Sequence, residues 1–411
     1  MDYGGTPVLV VEMRPGVAAR ATGRGIVSAA GLDTTSLNDL CAAYGGSLRT
    51  LFGMSEERLN RLTATLPASA DAPDLSRYYK VEVPVDRMND TAAALRADPL
   101  VAAAYVEPPG WPGLHREPQP NAAEPPAFTQ DFSARQAYLG PAPGGIDVRR
   151  AWALQGGRGA GVRVVHIDAA WRFTHEDLTG NQGGVVGGIQ STQLGWRNHG
   201  TAVAGVIGGD DNGFGIMGIC PDANLMAISA FMKKEDETDV GSAIVAVLEK
   251  LHPGDVIVTT IHAPGPRHGF KAPHGQLGFI AMDYFDPVFD AIRTATLKGV
   301  IVVAIAGNGA ENLDDPIYER RFDRTFRDSG VILVGAGAPP PGTNGHDHGP
   351  DRSRLAFSNF GSAVDVQAWG EEVTTCGYSD LQGGASEDLW YTATFNGTST
   401  AGPIIAGLLA C

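Results

Sequence analysis

From residue 162 onward the chain carries short runs of Val, Ile and Ala with no polar–apolar alternation: VRVVHI (162–167), DVIVTTI (255–261), VIVVAIA (300–306) and VILVGAG (331–337). A strand with one wet face alternates, whereas a strand that is apolar on both faces must be covered on both. ANLMAIS (223–229) reads as a further strand, and TAVAGVIGG (201–209), SAIVAVLEKL (242–251) and PVFDAIRTATLKG (287–299) fall between the runs. Strands alternating with helices predict an α/β fold, a doubly wound parallel sheet with helices on both faces, from about residue 145.

A chain of 411 residues exceeds one ordinary core, so a second unit is expected. Up to residue 108 the rhythm is different. PVLVVEM (7–13), SLRTLF (47–52) and VAAAYVE (101–107) read as strands, and YYKVEVPV (78–85) alternates as a half-buried strand would. SLNDLCAAY (36–44), with Ser36 available as its cap, and SEERLNRLTATL (55–66) read as helices; Asp90 caps a third that Pro99 ends. This order predicts a small α+β domain over 1–108. The proline-rich stretch EPPGWPGLHREPQPNAAEPPAF (107–128) lacks any period, so 109–144 is read as an extended linker open to proteolysis. The second domain is 145–411.

Composition removes several classes of function. A net charge of −15 is the wrong sign for holding a nucleic-acid backbone. Cys41, Cys220, Cys376 and Cys411 are scattered without a CxxC pair, which argues against a zinc finger or a disulfide framework. The apolar runs are strand-length and too short to span a bilayer. The glycines of GGRGAG (156–161) precede their strand, whereas phosphate cradles follow one, so a dinucleotide-binding oxidoreductase is rejected. His346 and His348 in NGHDHG (344–349) read as solvated loop residues.

In an open α/β sheet, chemistry gathers where strands end and helices begin. VRVVHI delivers Asp168 at a strand end, NHGTAVAGVIGG puts His199 at the start of a small-residue helix, and NGTSTAGPIIAG puts Ser399 at the start of another. A carboxylate, an imidazole and a hydroxyl are the parts of a nucleophilic relay: His takes the Ser proton, and Asp holds the His tautomer. VVAIAGNG places Asn308 just past another buried strand, where its amide can donate to an oxyanion beside the Ser399 N–H.

These four motifs resemble those of the subtilisin-like serine proteases, the subtilases (peptidase family S8). VRVVHIDAAWRFTHEDL resembles their Asp motif, HGTAVAGV their His motif, AGNG their oxyanion motif and NGTSTAGP their Ser motif, in the order known for subtilisin. The resemblance implies a subtilisin-like fold and an endopeptidase with Asp168, His199 and Ser399 as triad and Asn308 as oxyanion donor. The alternatives are a transpeptidase or a non-catalytic binding protein on the same fold. It implies that Thr260, Ile261 and His262 line the peptide-binding strand, with His262 crowding a subsite that glycine usually leaves open. It also implies that Asp177 and Asn212, in HEDL and GGDDNGFGIMG, contribute to a structural Ca²⁺ site, with no organic cofactor. The first domain looks like the family's propeptide, an intramolecular inhibitor cut from a zymogen within the linker. Protein or peptide substrates and secretion follow by the same analogy, beside the absence of nucleic acid and membrane span read from composition, although MDYGGTPVLVVEMRPG lacks the features of a signal peptide. The chain stops twelve residues after Ser399, and further packing elements are expected beyond that point, as in a C-terminally truncated sequence.

The sequence also departs from the family pattern. Ala169-Ala170-Trp171 follows Asp168 where Ser/Thr-Gly is usual, Thr400 stands where many relatives carry Met, and Gly402 replaces a usual Ser.

Overall fold

The computed structural model describes residues 5–23, 25–67, 71–114, 116, 118, 126–180 and 182–411. Seven parallel strands run in the spatial order Val366–Trp369, Ile332–Gly337, Ile301–Ile305, Val256–Thr259, Arg163–Asp168, Asn224–Ser229 and Gln182–Gly187. The sheet is α/β and doubly wound, as the unalternated runs predict.

Successive side chains along these strands go to opposite faces. Val165, Ile167, Ile257, Val302 and Ala304 pack with the helices Val240–Leu248 and Asp286–Leu297. Val164, Val256, Val258 and Val303 pack with the helices Leu194–Gly208 and Thr398–Ala410. The parity places His166 and Asp168 on the Val164 side, which is the side carrying His199 and Ser399. Nearly every residue of the five inner strands is buried, consistent with hydrophobic burial worth about 1.5–3 kcal/mol for each large side chain.

Near the N-terminus, Val8–Met13 pairs antiparallel with both Tyr78–Glu82 and Val101–Glu107, and Ser47–Thr50 adds to the Tyr78–Glu82 edge. Leu9, Val11, Tyr79 and Val81 on one face form a core with Leu37 and Leu95 from the helices Thr35–Ala43 and Met88–Leu95. The opposite face is covered too. Val10 and Tyr78, with Phe52 and Leu59, enter one apolar cluster with Val240, Ile244, Val288 and Ile292. The strand read as half-buried is therefore buried on both sides, because the larger unit supplies the second cover. Polar contacts fix the docking. Tyr78 donates its hydroxyl to Asp290 at 2.6 Å, Arg58 grips Glu249 with two bonds of 2.9 and 2.6 Å, and buried Lys80 pairs with Glu237.

Local starts differ from the sequence reading in three places. Ser36 lies inside its helix, which Thr34 precedes without a side-chain cap. Asp90 sits in the first turn of Met88–Leu95 instead of capping it, a position that still suits the helix dipole. The His199 helix begins at Leu194, so the imidazole projects from the second turn. Ser55 does cap Glu56–Thr63, accepting from the Arg58 N–H. Among the described residues no helix is long and apolar enough to cross a membrane.

Candidate active site

The strand Arg163–Asp168 ends at the carboxyl edge of the sheet with Asp168 fully buried. Its Oδ1 accepts from the Ala169 N–H at 2.7 Å, and its Oδ2 accepts from Thr260 Oγ1 at 2.9 Å and from His199 Nδ1 at 2.6 Å. Burial would raise this carboxyl, but the imidazoles of His199 and His166 and their hydrogen bonds outweigh it and hold the group well below the usual carboxylate range. With Nδ1–H committed to Asp168, His199 Nε2 is left as a buried acceptor, and no group among the described residues hydrogen-bonds to it. Small residues let this helix approach closely. A Cβ on Gly200 would lie 2.1 Å from the Ala170 carbonyl, and one on Gly205 would lie 2.4 Å from Thr375 Oγ1.

Behind this pair runs a second chain of hydrogen bonds. Trp171 Nε1–H donates to His166 Nδ1 at 2.9 Å, which leaves the other ring nitrogen to carry the proton. His166 Nε2 then faces Thr260 Oγ1 at 2.9 Å and Asp168 Oδ2 at 3.3 Å. Burial keeps His166 below its ordinary pKa, so the ring is neutral and its tautomer is dictated by the indole. The unusual Ala-Ala-Trp after Asp168 thus has a physical use: Trp171 orients a histidine that orients the carboxylate's partner.

Ser399 is the second residue of the helix Thr398–Ala410, which the chain enters through Gly397 at φ +101°. Its Oγ lies 3.4 Å from the Thr260 carbonyl oxygen, so Thr260 touches Asp168 with its side chain and Ser399 with its backbone. Asn308 Oδ1 accepts from the Thr398 N–H at 2.9 Å and from Thr398 Oγ1 at 2.7 Å, which turns the Asn308 amide hydrogens toward the cleft. The AGNG glycines are forced by space. Gly307 has φ +100°, and a Cβ on Gly309 would meet the Phe279 carbonyl at 2.1 Å.

The cleft is filled by the chain itself. Trp111–Pro112 pairs antiparallel with Ile261–Pro264, Pro112 opposite Ile261 and Trp111 opposite His262. Thr238 Oγ1 donates to the Gly110 carbonyl at 2.9 Å, and Gln276 Nε2 donates to the Pro112 carbonyl at 2.7 Å. The Gly113 N–H donates to the Thr260 carbonyl at 2.9 Å. The Gly113 carbonyl oxygen accepts from Asn308 Nδ2 at 2.6 Å and from the Ser399 backbone N–H at 3.3 Å. Further on, Arg116 exchanges two bonds with the Asn396 side chain, 2.8 and 2.9 Å, and pairs with Glu371 at 3.2 Å. The segment read as a loose linker is an ordered strand where it crosses the cleft.

Asp168 holds His199 directly, Thr260 contacts both Asp168 and Ser399, Asn308 and the Ser399 N–H share the Gly113 carbonyl, and Thr260 and Ile261 line the bound strand. His262 also lines it through its backbone, but its side chain does not crowd a subsite. The ring turns behind the oxyanion loop, against Phe279 at 4.8 Å between centroids, with Nδ1 accepting the Asn308 N–H at 3.2 Å. Burial pushes this imidazole down to about 3, so it stays neutral. Asp177 and Asn212 do come together, but as donor and acceptor. Asn212 Nδ2 donates to Asp177 Oδ1 at 2.8 Å, the Ile216 N–H takes Oδ2 at 2.6 Å, and Asn212 Oδ1 accepts from Phe214 N. Calcium takes six to eight oxygens, and here the pair braces a loop, with burial pushing the Asp177 carboxyl up to about 7. Gln276, His166 and Trp171 escaped the sequence reading, since a loop glutamine and a strand histidine carry no spacing signal. The one available clue was the departure at Trp171.

Two outcomes follow. Trp171→Phe leaves His166 Nδ1 buried without its donor, which destabilises the folded chain by about 1–3 kcal/mol in urea unfolding of the Ser399→Ala protein. The folded pKa of Asp168 lies below its unfolded value, so the unfolded state binds more protons as pH falls between the two. The stability that Asp168 contributes is full above about pH 4 and lost as pH drops through its folded pKa. Asp168→Asn in the same background should therefore unfold more easily at pH 7, with the gap closing in acid.

Known proteins resemble the chain in sequence and fold. Residues 174–411 match the profile of the Subtilase family. Subtilisin DY of Bacillus licheniformis is 30% identical over 277 residues, 65% of this chain and 83% of that enzyme. A protein named Intracellular serine protease, from Paenibacillus polymyxa, is 27% identical over 281 residues, 65% of this chain and 72% of its own. Fervidolysin of Fervidobacterium pennivorans, described as a keratinolytic enzyme related to subtilisin, superposes with a TM-score of 0.54 at 18% identity. The match covers 99% of this chain, which spans 54% of the fervidolysin chain. A profile match over more than half of its length shows that the chain belongs to the subtilase family of serine-type endopeptidases.

Proposed function

We propose that this chain is a serine endopeptidase whose first substrate is its own bond between Gly113 and Leu114. The carrying observation is the Gly113 carbonyl oxygen, held at once by Asn308 Nδ2 and the Ser399 N–H. Two donors converging on one carbonyl are what acyl transfer needs where negative charge develops. In the proposed reaction Ser399 Oγ gives its proton to His199 Nε2 and attacks the Gly113 carbonyl carbon. The tetrahedral oxyanion rests on Asn308 and the Ser399 N–H. His199 then delivers the proton to the Leu114 nitrogen as the C–N bond breaks, and water releases the Gly113 carboxylate by the same steps in reverse. Asp168 keeps the Nδ1–H tautomer and offsets the imidazolium charge. Loss of the Asn308 donor should cost about 3–4 kcal/mol of transition-state stabilisation, a magnitude measured on a subtilisin.

On this reading residues 1–108 are the inhibitory propeptide, 109–144 the linker that holds the cut, and 145–411 the catalytic domain. Docking through Tyr78, Arg58 and Lys80 supports it, because these contacts keep the strand 110–113 in the cleft. One relative is named an intracellular enzyme, so kinship does not fix the compartment.

The same contacts point to a substrate class. A Cβ on Gly113 would lie 2.3 Å from Ile305 Cδ1 and 2.7 Å from Ser399 Oγ. Ile305 is fully buried, so the neighbours packed around it resist its displacement. The enzyme is therefore selective for glycine before the cut bond. Overpacking of this kind costs about 1–3 kcal/mol, or roughly 5- to 150-fold in kcat/KM for alanine against glycine.

N-terminal sequencing of the purified wild type should show a fragment beginning at Leu114, and Ser399→Ala should stay intact. Cleavage elsewhere, or cleavage persisting in Ser399→Ala, contradicts the reading. On peptide pairs differing only before the cut, Ile305→Ala should accept alanine nearly as well as glycine. Unchanged selectivity would remove Ile305 from the account while leaving the nucleophile in place.

A further inference from the structure

The geometry points to a transition-metal site, suited to Zn²⁺, formed by His346, His348 and Glu372. Two of the side chains share one loop and the third comes from a later turn, and one donor atom from each lies within 4.8 Å of the others. His348 Nε2 is 2.9 Å from Glu372 Oε1, and His346 Nδ1 is 3.1 Å from Glu372 Oε2. Donors on a tetrahedral zinc sit about 3.3 Å apart when each is about 2.0–2.1 Å from the ion, so small side-chain shifts admit it.

Two independent observations say that hydrogen bonding alone does not account for the cluster. Glu372 Oε2 is buried and accepts no hydrogen bond, although His346 is near. Its side chain is 1% exposed, and among the described residues its ion-pair partners are the two imidazoles, since the neighbouring guanidinium of Arg116 goes to Glu371. A buried carboxylate lacking a permanent cation is costly, and a divalent ion supplies the missing charge. Glu372 is also held at φ +59°, a left-handed conformation that a non-glycine residue adopts only when its surroundings compel it.

The frame around the site is built to hold this posture. Asn344 Nδ2 donates to the Glu372 carbonyl at 3.3 Å and to the Ala393 carbonyl at 3.2 Å, tying the histidine loop to the strand that leads to Ser399. The Gly342 N–H donates to the His346 carbonyl and the His346 N–H to the Thr343 carbonyl, closing the loop on itself. His346 is 58% exposed, which leaves solvent a route in and water room in the remaining coordination position. Two imidazole nitrogens and one carboxylate favour zinc and its neighbours over Ca²⁺ or Mg²⁺, which take oxygens.

The test is zinc binding by the full chain as the uncut Ser399→Ala protein, followed by calorimetry and by thermal unfolding. One zinc ion per chain is expected, with a rise in unfolding temperature that calcium does not reproduce. His348→Ala and Glu372→Gln should each weaken zinc binding at least tenfold. His346→Ala, at an exposed position, tests the same loss without endangering the fold. Cobalt in place of zinc should give the visible absorption of a tetrahedral ion. No zinc uptake from micromolar solution, or uptake that the combined His346→Ala and His348→Ala substitutions leave unchanged, overturns the proposal.

Discussion

A carboxylate at zero exposure is stable only if donors surround it, and Asp168 collects them from three parts of the chain. Ala169 N, Thr260 Oγ1, His166 and His199 Nδ1 all lie close to its two oxygens. Each donor belongs to an element with its own packing demands. The His199 helix must press against the turn after Asp168, which is why Gly200 has no room for a side chain. Thr260 must break the strand that ends at Thr259, so that its hydroxyl faces Asp168 while its carbonyl faces the cleft. The charge therefore organises the geometry around it, and the sheet supplies the rigidity that keeps the geometry fixed.

The cleft shows how the same residues meet a peptide. Backbone bonds from Thr260, Ile261 and His262 add Trp111–Pro112 as an extra strand, the general way a protease holds an extended chain. Specificity then rests on what the backbone pattern leaves open. Ile305 occupies the space where a side chain on Gly113 would go, and Gly402 on the Ser399 helix leaves just the room that Ile305 needs. The departure at Gly402 is coupled to Ile305 by volume: a serine at 402 and an isoleucine at 305 would compete for one space.

Much of the architecture is legible in the sequence because its physical signals are local. Unalternated Val and Ile runs can sit only in a sheet covered on both faces, and small residues after His199 and Ser399 mark helices that pack closely. Asp168 and Asn308 stand out as polar residues ending such runs. What was hidden depends on distant partners. Tyr78–Glu82 alternates as if half wet, but the second unit covers its other face. His262 reads as an obstruction, yet its ring finds a pocket against Phe279 that no spacing could announce. Asp177 and Asn212 share a loop system as expected, and the amide faces its nitrogen to the carboxylate. His346 and His348 look solvated until Glu372, brought close by the fold, gives them a partner.

The central claim is that Ser399 is made nucleophilic by His199 under the hold of Asp168. Labelling with a fluorophosphonate, followed by peptide mass mapping, tests it most directly. The account predicts one label per chain, on the peptide containing Ser399, appearing only after the cleft is freed of residues 110–113 and absent from His199→Ala. A label on a different serine, or equal labelling of Ser399 in His199→Ala, would contradict it.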